Sequence, residues 1–330
     1  MVKASVALNL DDDDEETEAD AKQQEAKASS NSNYSGPPLP ALRIALLDLS
    51  EPIAKRTHAA FYLRTLGSSE AVAVLAEALA QRSDSALMRH ELAYILGQIG
   101  NPSVCDSLGA ILDDEGEDVL VRHECAEALG AIGQPKSQAV LSKHKAHRER
   151  DISETCQIAL DLIAYRSSPA YAAEKATLAQ AKHRTTDPAP AYAQAKPVAD
   201  LQRELTDSSG ASSLFTRYRA MFTLRNLDSD ESALALCAGF QDPSPLFRHE
   251  VAYVLGQMQR EVTVPALTDV LTNTDEHRMV RHEAAEALGA IGGEEVELIL
   301  GEFLDDAEVV VTESCEVALD TLDYWEAFKA

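Results

Sequence analysis

A segment of about twelve residues recurs along this chain every 31 to 33 residues, first as a set of four copies and then as a second set of four. The copies lie at 55–66, 88–99, 121–132 and 152–163, and again at 216–227, 247–258, 280–291 and 311–322. Apolar residues in each copy follow the spacing of one helix face, and shorter helical stretches lie between the copies. A repeat of this length with two helices per unit predicts an all-α fold, an α-solenoid of helical hairpins. The two sets match at an offset of 159 to 161 residues, so we expect two duplicated halves of four units each.

The repeats divide the chain into five predicted parts. Residues 1–40 are rich in Asp, Glu, Ser and Asn and contain too little apolar surface to fold alone, so we expect a disordered acidic tail. Residues 166–200 are rich in Ala and Pro and are expected to form a linker with a short helix around 170–182. The N-terminal half is then 41–165, the C-terminal half is 201–326, and a short tail covers 327–330.

The charge and the cysteine content of the chain indicate which binding partners and which cellular compartment to expect. The formal net charge is −26 at pH 7, and a body this acidic is expected to repel nucleic acid and to attract cations or basic proteins. The five cysteines are scattered and odd in number, which favours free thiols in a reducing compartment. No signal segment or membrane-length apolar run is visible. We expect an intracellular protein of the cytoplasm, with the nucleus as a further compartment and no membrane partner.

A His-Glu pair occurs in the two middle units of each half and nowhere else in the repeats. The pairs are His90 and Glu91, His123 and Glu124, His249 and Glu250, and His282 and Glu283. The first and fourth units of each half keep the repeat pattern without the pair, so the fold does not require it. Stacking neighbouring units brings two pairs together, and facing halves would gather all eight residues around one cavity. The pattern therefore predicts a shared metal site.

The ligand types favour some metal ions over others but do not identify the metal. Two imidazoles and a carboxylate with open positions are typical of non-haem Fe(II) oxygen chemistry, whereas structural zinc sites usually contain thiolates. Eight ligands in two equal sets fit two metal ions, and two zinc or manganese ions performing hydrolysis remain an alternative. An arginine precedes each pair. We expect Arg89, Arg122, Arg248 and Arg281 to form salt bridges, facing solvent or linking repeats, rather than to orient the carboxylates.

Four His-Glu motifs on a duplicated helical array closely resemble the deoxyhypusine hydroxylases, over about 41–165 and 201–326. The resemblance implies HEAT-like repeats and a dinuclear iron monooxygenase with two Fe(II) ions, O₂ as co-substrate and an external reductant. It implies hydroxylation of the deoxyhypusine side chain of translation initiation factor 5A to hypusine. The eight His and Glu residues fall on the family's metal and active-site positions, with Glu91, Glu124, Glu250 and Glu283 as catalytic candidates. All four histidines and two of the glutamates would bind iron, and the other two glutamates would face the substrate.

Three other functions are compatible with parts of the pattern. A HEAT-repeat scaffold that binds proteins without catalysis would contain no metal. The bilin lyases of phycobiliproteins share the Ala-x-x-Leu-Gly repeats but match the four paired motifs less well. A dinuclear hydrolase would work without oxygen.

Overall fold

The computed structural model describes residues 34–178, 183 and 185–327, with side chains described up to 323. This part of the chain is all-helical, as predicted. Its α-helices are α1 (Leu39–Leu47), α2 (Ile53–Leu66), α3 (Ser69–Leu79), α4 (Ala86–Ile99), α5 (Cys105–Asp113), α6 (Val119–Ile132), α7 (Ser137–His144), α8 (Arg150–Arg166), α9 (Pro169–Leu178), α10 (Val198–Leu205), α11 (Leu214–Leu227), α12 (Asp230–Cys237), α13 (Pro245–Met258), α14 (Val264–Thr272), α15 (Arg278–Ile291), α16 (Glu294–Gly301) and α17 (Val309–Ala327). Short 3₁₀ helices cover Pro102–Val104, Ala238–Gln241 and Glu261–Thr263.

Each repeat pairs a shorter outer helix with a longer inner helix. The inner helices are α2, α4, α6 and α8 in the first half and α11, α13, α15 and α17 in the second. Local signals define their ends. The Ser85 hydroxyl accepts a hydrogen bond from the Met88 amide at the start of α4, and Gly100 ends that helix at a φ of 75°.

Glycines inside the inner helices allow them to pack at very short range. A Cβ built on Gly130 of α6 would lie 2.6 Å from the Ala159 Cβ and 2.8 Å from the Ala159 Cα of α8. Gly97 of α4 has the same relation to Ala128 of α6, at 2.9 and 2.8 Å. In the four repeats that contain it, the Leu-Gly step therefore allows the inner helices to come into close contact.

The inner helices close into a ring. Neighbouring inner helices pack along each half, α8 also contacts α11, and α17 returns to contact α2. At this last contact, His58 Nε2 of α2 lies 3.2 Å from the Asp320 carboxylate of α17. Across the ring, Arg278 at the start of α15 forms an ion pair of 2.5 Å with Asp118, the residue that caps α6. The two predicted halves therefore face each other around a common centre.

The four arginines that precede the His-Glu pairs form salt bridges, and those of Arg89, Arg248 and Arg281 reach the following repeat. Arg122 instead pairs with Glu115, in the loop that precedes its own helix. Arg89 donates through Nε to the Leu79 carbonyl at 2.9 Å and through Nη1 to Glu117 at 2.6 Å. Arg281 repeats this with the Leu271 carbonyl and Asp306. The prediction of salt bridges is confirmed, but Arg89 and Arg281 are buried rather than solvent-facing.

Element boundaries differ from the predicted divisions in four places, the smallest being the end of α8 at Arg166, the first residue of the predicted linker. The first helix begins at Leu39, inside the predicted tail, while the acidic run at 11–16 lies outside the described residues. Helix α10 begins at Val198, inside the predicted linker, because its apolar face packs on α11 and α12. The last helix extends to Ala327, and 328–330 lie outside the described residues. We retain the division into two halves as a proposal for the domain boundaries.

The five cysteines are free thiols, as predicted. Across the described ranges, no helix has both the length and the apolar character that crossing a bilayer requires.

Candidate metal centre

The four histidines occupy equivalent places in the ring. Each is the fifth residue of an inner helix, in α4, α6, α13 and α15 respectively, and each is followed by its glutamate. All eight residues are buried, with exposed fractions between 0 and 6%. The structure thus brings together every residue of the predicted site.

The imidazole rings form one compact group. The centroid of the His90 ring lies 5.3 Å from those of His123 and His282 and 5.9 Å from that of His249. His249 lies 5.4 Å from both His123 and His282. Histidines separated by 159 residues in the chain therefore meet at the centre of the ring, as the facing halves predict.

Two carboxylates repeat the same contact in the two halves. His90 Nε2 lies 3.2 Å from Glu124 Oε2, and His249 Nε2 lies 3.3 Å from Glu283 Oε2. In each half, the histidine of the second unit thus meets the glutamate of the third. Glu91 Oε1 lies 3.3 Å from His90 Nδ1 of its own pair.

Four further residues lie in the site beyond those that the His-Glu pattern predicts. Glu127 and Glu286 follow the third-unit histidines by four residues, and Tyr94 and Tyr253 follow the second-unit histidines by four. Helical residues at this spacing share a face, so the signal was present in the sequence. The two tyrosine hydroxyls meet across the ring at 2.8 Å, and His282 Nδ1 lies 3.6 Å from Glu286 Oε1.

Burial sets the protonation of the imidazoles. It lowers the pKa of His123 and His282 well below the usual value and that of His249 to about 3, with the charge of His90 adding to the effect. Burial acts in the same direction on His90, but the Glu124 and Glu91 carboxylates raise its pKa well above the usual value. Three of the four histidines are therefore neutral and able to offer a lone pair.

Burial and neighbouring carboxylates act on the glutamates in the opposite direction. The pKa values of Glu127, Glu250 and Glu286 are raised well above the usual value, and that of Glu283 is raised to about 8. Carboxyl groups this crowded resist ionisation unless positive charge enters the site. The cavity thus favours cations.

Unsatisfied polar atoms show what kind of cation fits. Both ring nitrogens of His123, His249 and His282 are buried without a hydrogen-bond partner, and His90 Nε2 makes no aligned hydrogen bond despite its contact with Glu124. Buried polar groups are rarely left unpaired. Three triads of the site each have ligand atoms within 4.8 Å of one another: His90 with His123 and His249, His249 with His282 and Glu283, and His123 with Glu124 and Glu127. This donor set of imidazoles and carboxylates fits transition-metal ions.

A cavity of about 280 Å³ adjoins these groups. Six glutamates line it: Glu91, Glu124, Glu127, Glu250, Glu283 and Glu286. Arg64 is the one Arg or Lys among its described lining residues. A long cationic side chain would match this volume and charge.

Comparison with known proteins agrees with this architecture. A family model described as HEAT repeats matches residues 39–120 and 233–320, and one described as PBS lyase HEAT-like repeat matches residues 121–147. The solved structure of human deoxyhypusine hydroxylase in complex with glycerol is 39% identical, with a TM-score of 0.79, and the match covers 92% of this chain and 99% of the human chain. The chain belongs to the deoxyhypusine hydroxylase family.

Curated deoxyhypusine hydroxylases support the same assignment. The enzyme of Drosophila pseudoobscura pseudoobscura is 44% identical over 186 residues, and that of Danio rerio is 45% identical over 185 residues. Each alignment covers 56% of this chain and 59% of the relative. The aligned part thus spans about three fifths of the length of these relatives. We therefore treat their activity as a proposal for this chain.

Proposed function

We propose that this protein hydroxylates the deoxyhypusine side chain of translation initiation factor 5A, completing hypusine, with two iron ions, O₂ and an external reductant. The observation that carries the proposal is the convergence of all four His-Glu pairs on one buried, carboxylate-lined cavity. The similarity to deoxyhypusine hydroxylases supports the choice of substrate. We place the reaction in the cytoplasm, with the nucleus as a further compartment.

The contacts suggest a division of labour among the glutamates. Glu124 and Glu283 each approach a histidine of the neighbouring unit, and both belong to the triads that could hold a metal. Glu91 and Glu250 belong to none of these triads, and Glu250 Oε1 is buried without a hydrogen-bond partner. We therefore assign the four histidines, Glu124 and Glu283 to iron, and Glu91 and Glu250 to the substrate's ammonium groups.

The residues of the cavity would perform four tasks. The iron pair, when bound, supplies the activation of O₂ from which one oxygen atom enters a C–H bond of the aminobutyl chain. Glu91 and Glu250 lie off the metal triads, so each can face an ammonium group and fix the chain's position. The Tyr94 and Tyr253 hydroxyls bridge the ring one helical turn from the histidines and limit how deep a side chain can lie. Burial of the whole set excludes water from the reacting carbon.

The metal and the reaction can be tested together. Protein loaded anaerobically with Fe(II) should bind about two iron ions per chain, the number that the two sets of ligands predict. The factor carrying deoxyhypusine should then gain the mass of one oxygen atom in air and none under nitrogen. Zinc binding with turnover under nitrogen would indicate a hydrolase, and a folded protein that binds no metal would indicate a scaffold.

Matched variants test the division among the glutamates. Glu124→Gln and Glu283→Gln should lose iron, because each removes a charged ligand. Glu91→Gln and Glu250→Gln should keep iron and instead raise KM for the modified factor. Equal iron loss in all four variants would refute the assignment.

A further inference from the structure

A row of five contacting side chains, here called the relay, runs from the segment that joins the two halves to the cavity. Asp187 of that segment, which connects α9 to α10, binds Arg225 of α11 with both carboxylate oxygens, at 2.9 and 2.6 Å. Arg225 donates through Nη1 to Gln257 Oε1 of α13 at 2.8 Å, and Gln257 donates through Nε2 to the Tyr253 hydroxyl at 2.8 Å. The relay ends where the Tyr253 hydroxyl meets that of Tyr94, at 2.8 Å.

The arginine fixes the direction of the hydrogen bonds in the relay. A guanidinium group can only donate, so the Gln257 atom beside Arg225 is the amide oxygen and the atom beside Tyr253 is the amide nitrogen. An amide nitrogen also only donates, so the Tyr253 oxygen accepts. A hydroxyl that accepts one hydrogen bond becomes a stronger donor, because the hydrogen bonds of a chain polarise one another. Tyr253 therefore donates to Tyr94.

The equivalent glutamine of the other half does not oppose this direction. Gln98 occupies the place of Gln257, 159 residues earlier in the chain. Its amide nitrogen donates to the Thr186 carbonyl at 3.1 Å, and its amide oxygen accepts from the Thr186 amide at 2.9 Å. Among the described residues, no amide donates to Tyr94 as Gln257 donates to Tyr253. The pair of hydroxyls is thus polarised from one side.

One hydroxyl hydrogen of the tyrosine pair remains unused. Burial raises the pKa of Tyr94 to about 12 and that of Tyr253 well above its usual value, so both hydroxyls carry a hydrogen at neutral pH. The contact between the two oxygens uses only the hydrogen of Tyr253. In the part of the chain that the structure describes, Tyr94 makes no other hydrogen bond. Both tyrosines line the cavity, so the Tyr94 hydrogen is available to an acceptor there.

The chemistry of the proposed substrate and product identifies this acceptor. The ammonium groups of deoxyhypusine only donate hydrogen bonds, and they match the carboxylates that line the cavity. Hydroxylation adds an oxygen atom, which is the first hydrogen-bond acceptor on that part of the side chain. Ionised carboxylates cannot donate to it, whereas a tyrosine hydroxyl can.

We propose that Tyr94 donates a hydrogen bond to the hydroxyl oxygen of the product. Asp187, Arg225 and Gln257 are then positioning residues, which direct the Tyr94 hydrogen into the cavity. Tyr253 transmits this direction and donates to Tyr94 rather than to the product. The inference rests on the proposed function and adds to it the group that distinguishes hypusine from deoxyhypusine.

Binding measurements with substrate and product test the donor without turnover. Iron-loaded protein kept free of oxygen is titrated with the factor carrying hypusine and with the factor carrying deoxyhypusine. Tyr94→Phe should weaken binding of the hypusine form about fivefold relative to the deoxyhypusine form, because only the hypusine form loses a hydrogen bond. Tyr253→Phe removes the matched hydroxyl of the other half but leaves the Tyr94 hydrogen, so the ratio of the two Kd values should change less than about twofold. An unchanged ratio in Tyr94→Phe, or a larger change in Tyr253→Phe, would overturn the proposal.

Reversing the relay tests the positioning role. Gln257→Glu replaces the amide nitrogen by an acceptor oxygen of nearly the same size, and Arg225 beside it supplies the counter-charge. Tyr253 must then donate to the new carboxylate and Tyr94 to Tyr253, so the Kd ratio should shift about fivefold although Tyr94 is still present. Gln98→Glu makes the same change where the side chain bonds the joining segment rather than a tyrosine, and should keep the ratio within about twofold. Equal ratios in these two variants would refute the positioning role.

Neutron diffraction from crystals of the parent exchanged into D₂O locates the hydroxyl hydrogens without any substitution. The deuterium between the two hydroxyl oxygens should be bonded to Tyr253, and that of Tyr94 should point into the cavity. A Tyr94 deuterium directed at Tyr253 would contradict the proposed direction. If the parent binds the modified factor no better than the factor with an unmodified lysine, the proposed function fails and the assignment of the product hydroxyl fails with it. The direction of the relay is still read from the deuterium positions.

Discussion

Two glycine substitutions with opposite expected effects test the close packing of the inner ring. Gly130 lies in the last turn of inner helix α6, and Gly109 lies in the middle of outer helix α5. Replacing either glycine by alanine should stabilise its helix by about 1 kcal/mol, because alanine has the higher helix propensity. The surroundings of the added methyl group decide the net result.

At Gly130 the new Cβ would lie 2.6 Å from the Ala159 Cβ, whereas carbon atoms pack best at about 3.5 to 4.0 Å. Helices α6 and α8 must then separate by about 1 Å, and overpacking of this kind costs about 1 to 3 kcal/mol. At Gly109 the nearest neighbour, Val140 Cγ1, is 3.7 Å from the new Cβ, an ordinary contact. We expect Gly130→Ala to lose about 1 kcal/mol net and Gly109→Ala to gain about 1 kcal/mol.

Thermal and urea unfolding of the two variants beside the parent measures the difference. The midpoints should move in opposite directions and differ by about 3 °C. If Gly130→Ala were as stabilising as Gly109→Ala, the inner helices would not be in the close contact described here, and the reason given for the Leu-Gly step would be wrong.

Three further outcomes follow from buried polar contacts. Asp187→Asn should lower stability by about 3 kcal/mol, because it leaves Arg225 buried without its counter-charge, and limited proteolysis should then cut the segment 185–192 faster than in the parent. Tyr253→Phe should lose the hydroxyl contact across the ring and about 1 kcal/mol in urea unfolding. The pKa of Asp306 is lowered mainly by its hydrogen bonds with Arg281, so its contribution is present above the ordinary carboxyl pKa and is lost as pH falls through the lowered value. Asp306→Asn should therefore reduce the stability difference between neutral and acidic pH, and an unchanged difference in acid titrations would contradict this.

The repeat pattern carried most of the information about the site. The four His-Glu pairs stand out from the repeat because the units without them, such as the one containing Thr57 and His58, fold in the same way. The duplication of the four units then predicts two halves that face each other. Glu127 and Glu286 could have been found by extending each motif one helical turn, since both glutamates lie four residues after a histidine.

Other features could not be read from the pattern. Contact between α17 and α2 depends on the small rotation between successive repeats, which no residue type encodes on its own. The pairing of Asp187 with Arg225 joins an unrepeated segment to a repeat, so periodicity gives no hint of it. The contact of this segment with Arg225 is therefore visible only in the structure.

The closed ring has the geometry of a symmetric dimer whose subunits have been joined end to end. On the axis of such a dimer a residue meets its own copy, and here Tyr94 meets Tyr253 hydroxyl to hydroxyl. A dimer of single halves would already contain the four His-Glu pairs, because each half contributes two of them. The segment that joins the halves has no counterpart in such a dimer, so it makes the two halves unequal. Arg225 is buried against Asp187 of that segment, whereas its counterpart Arg64 lines the cavity and is partly exposed.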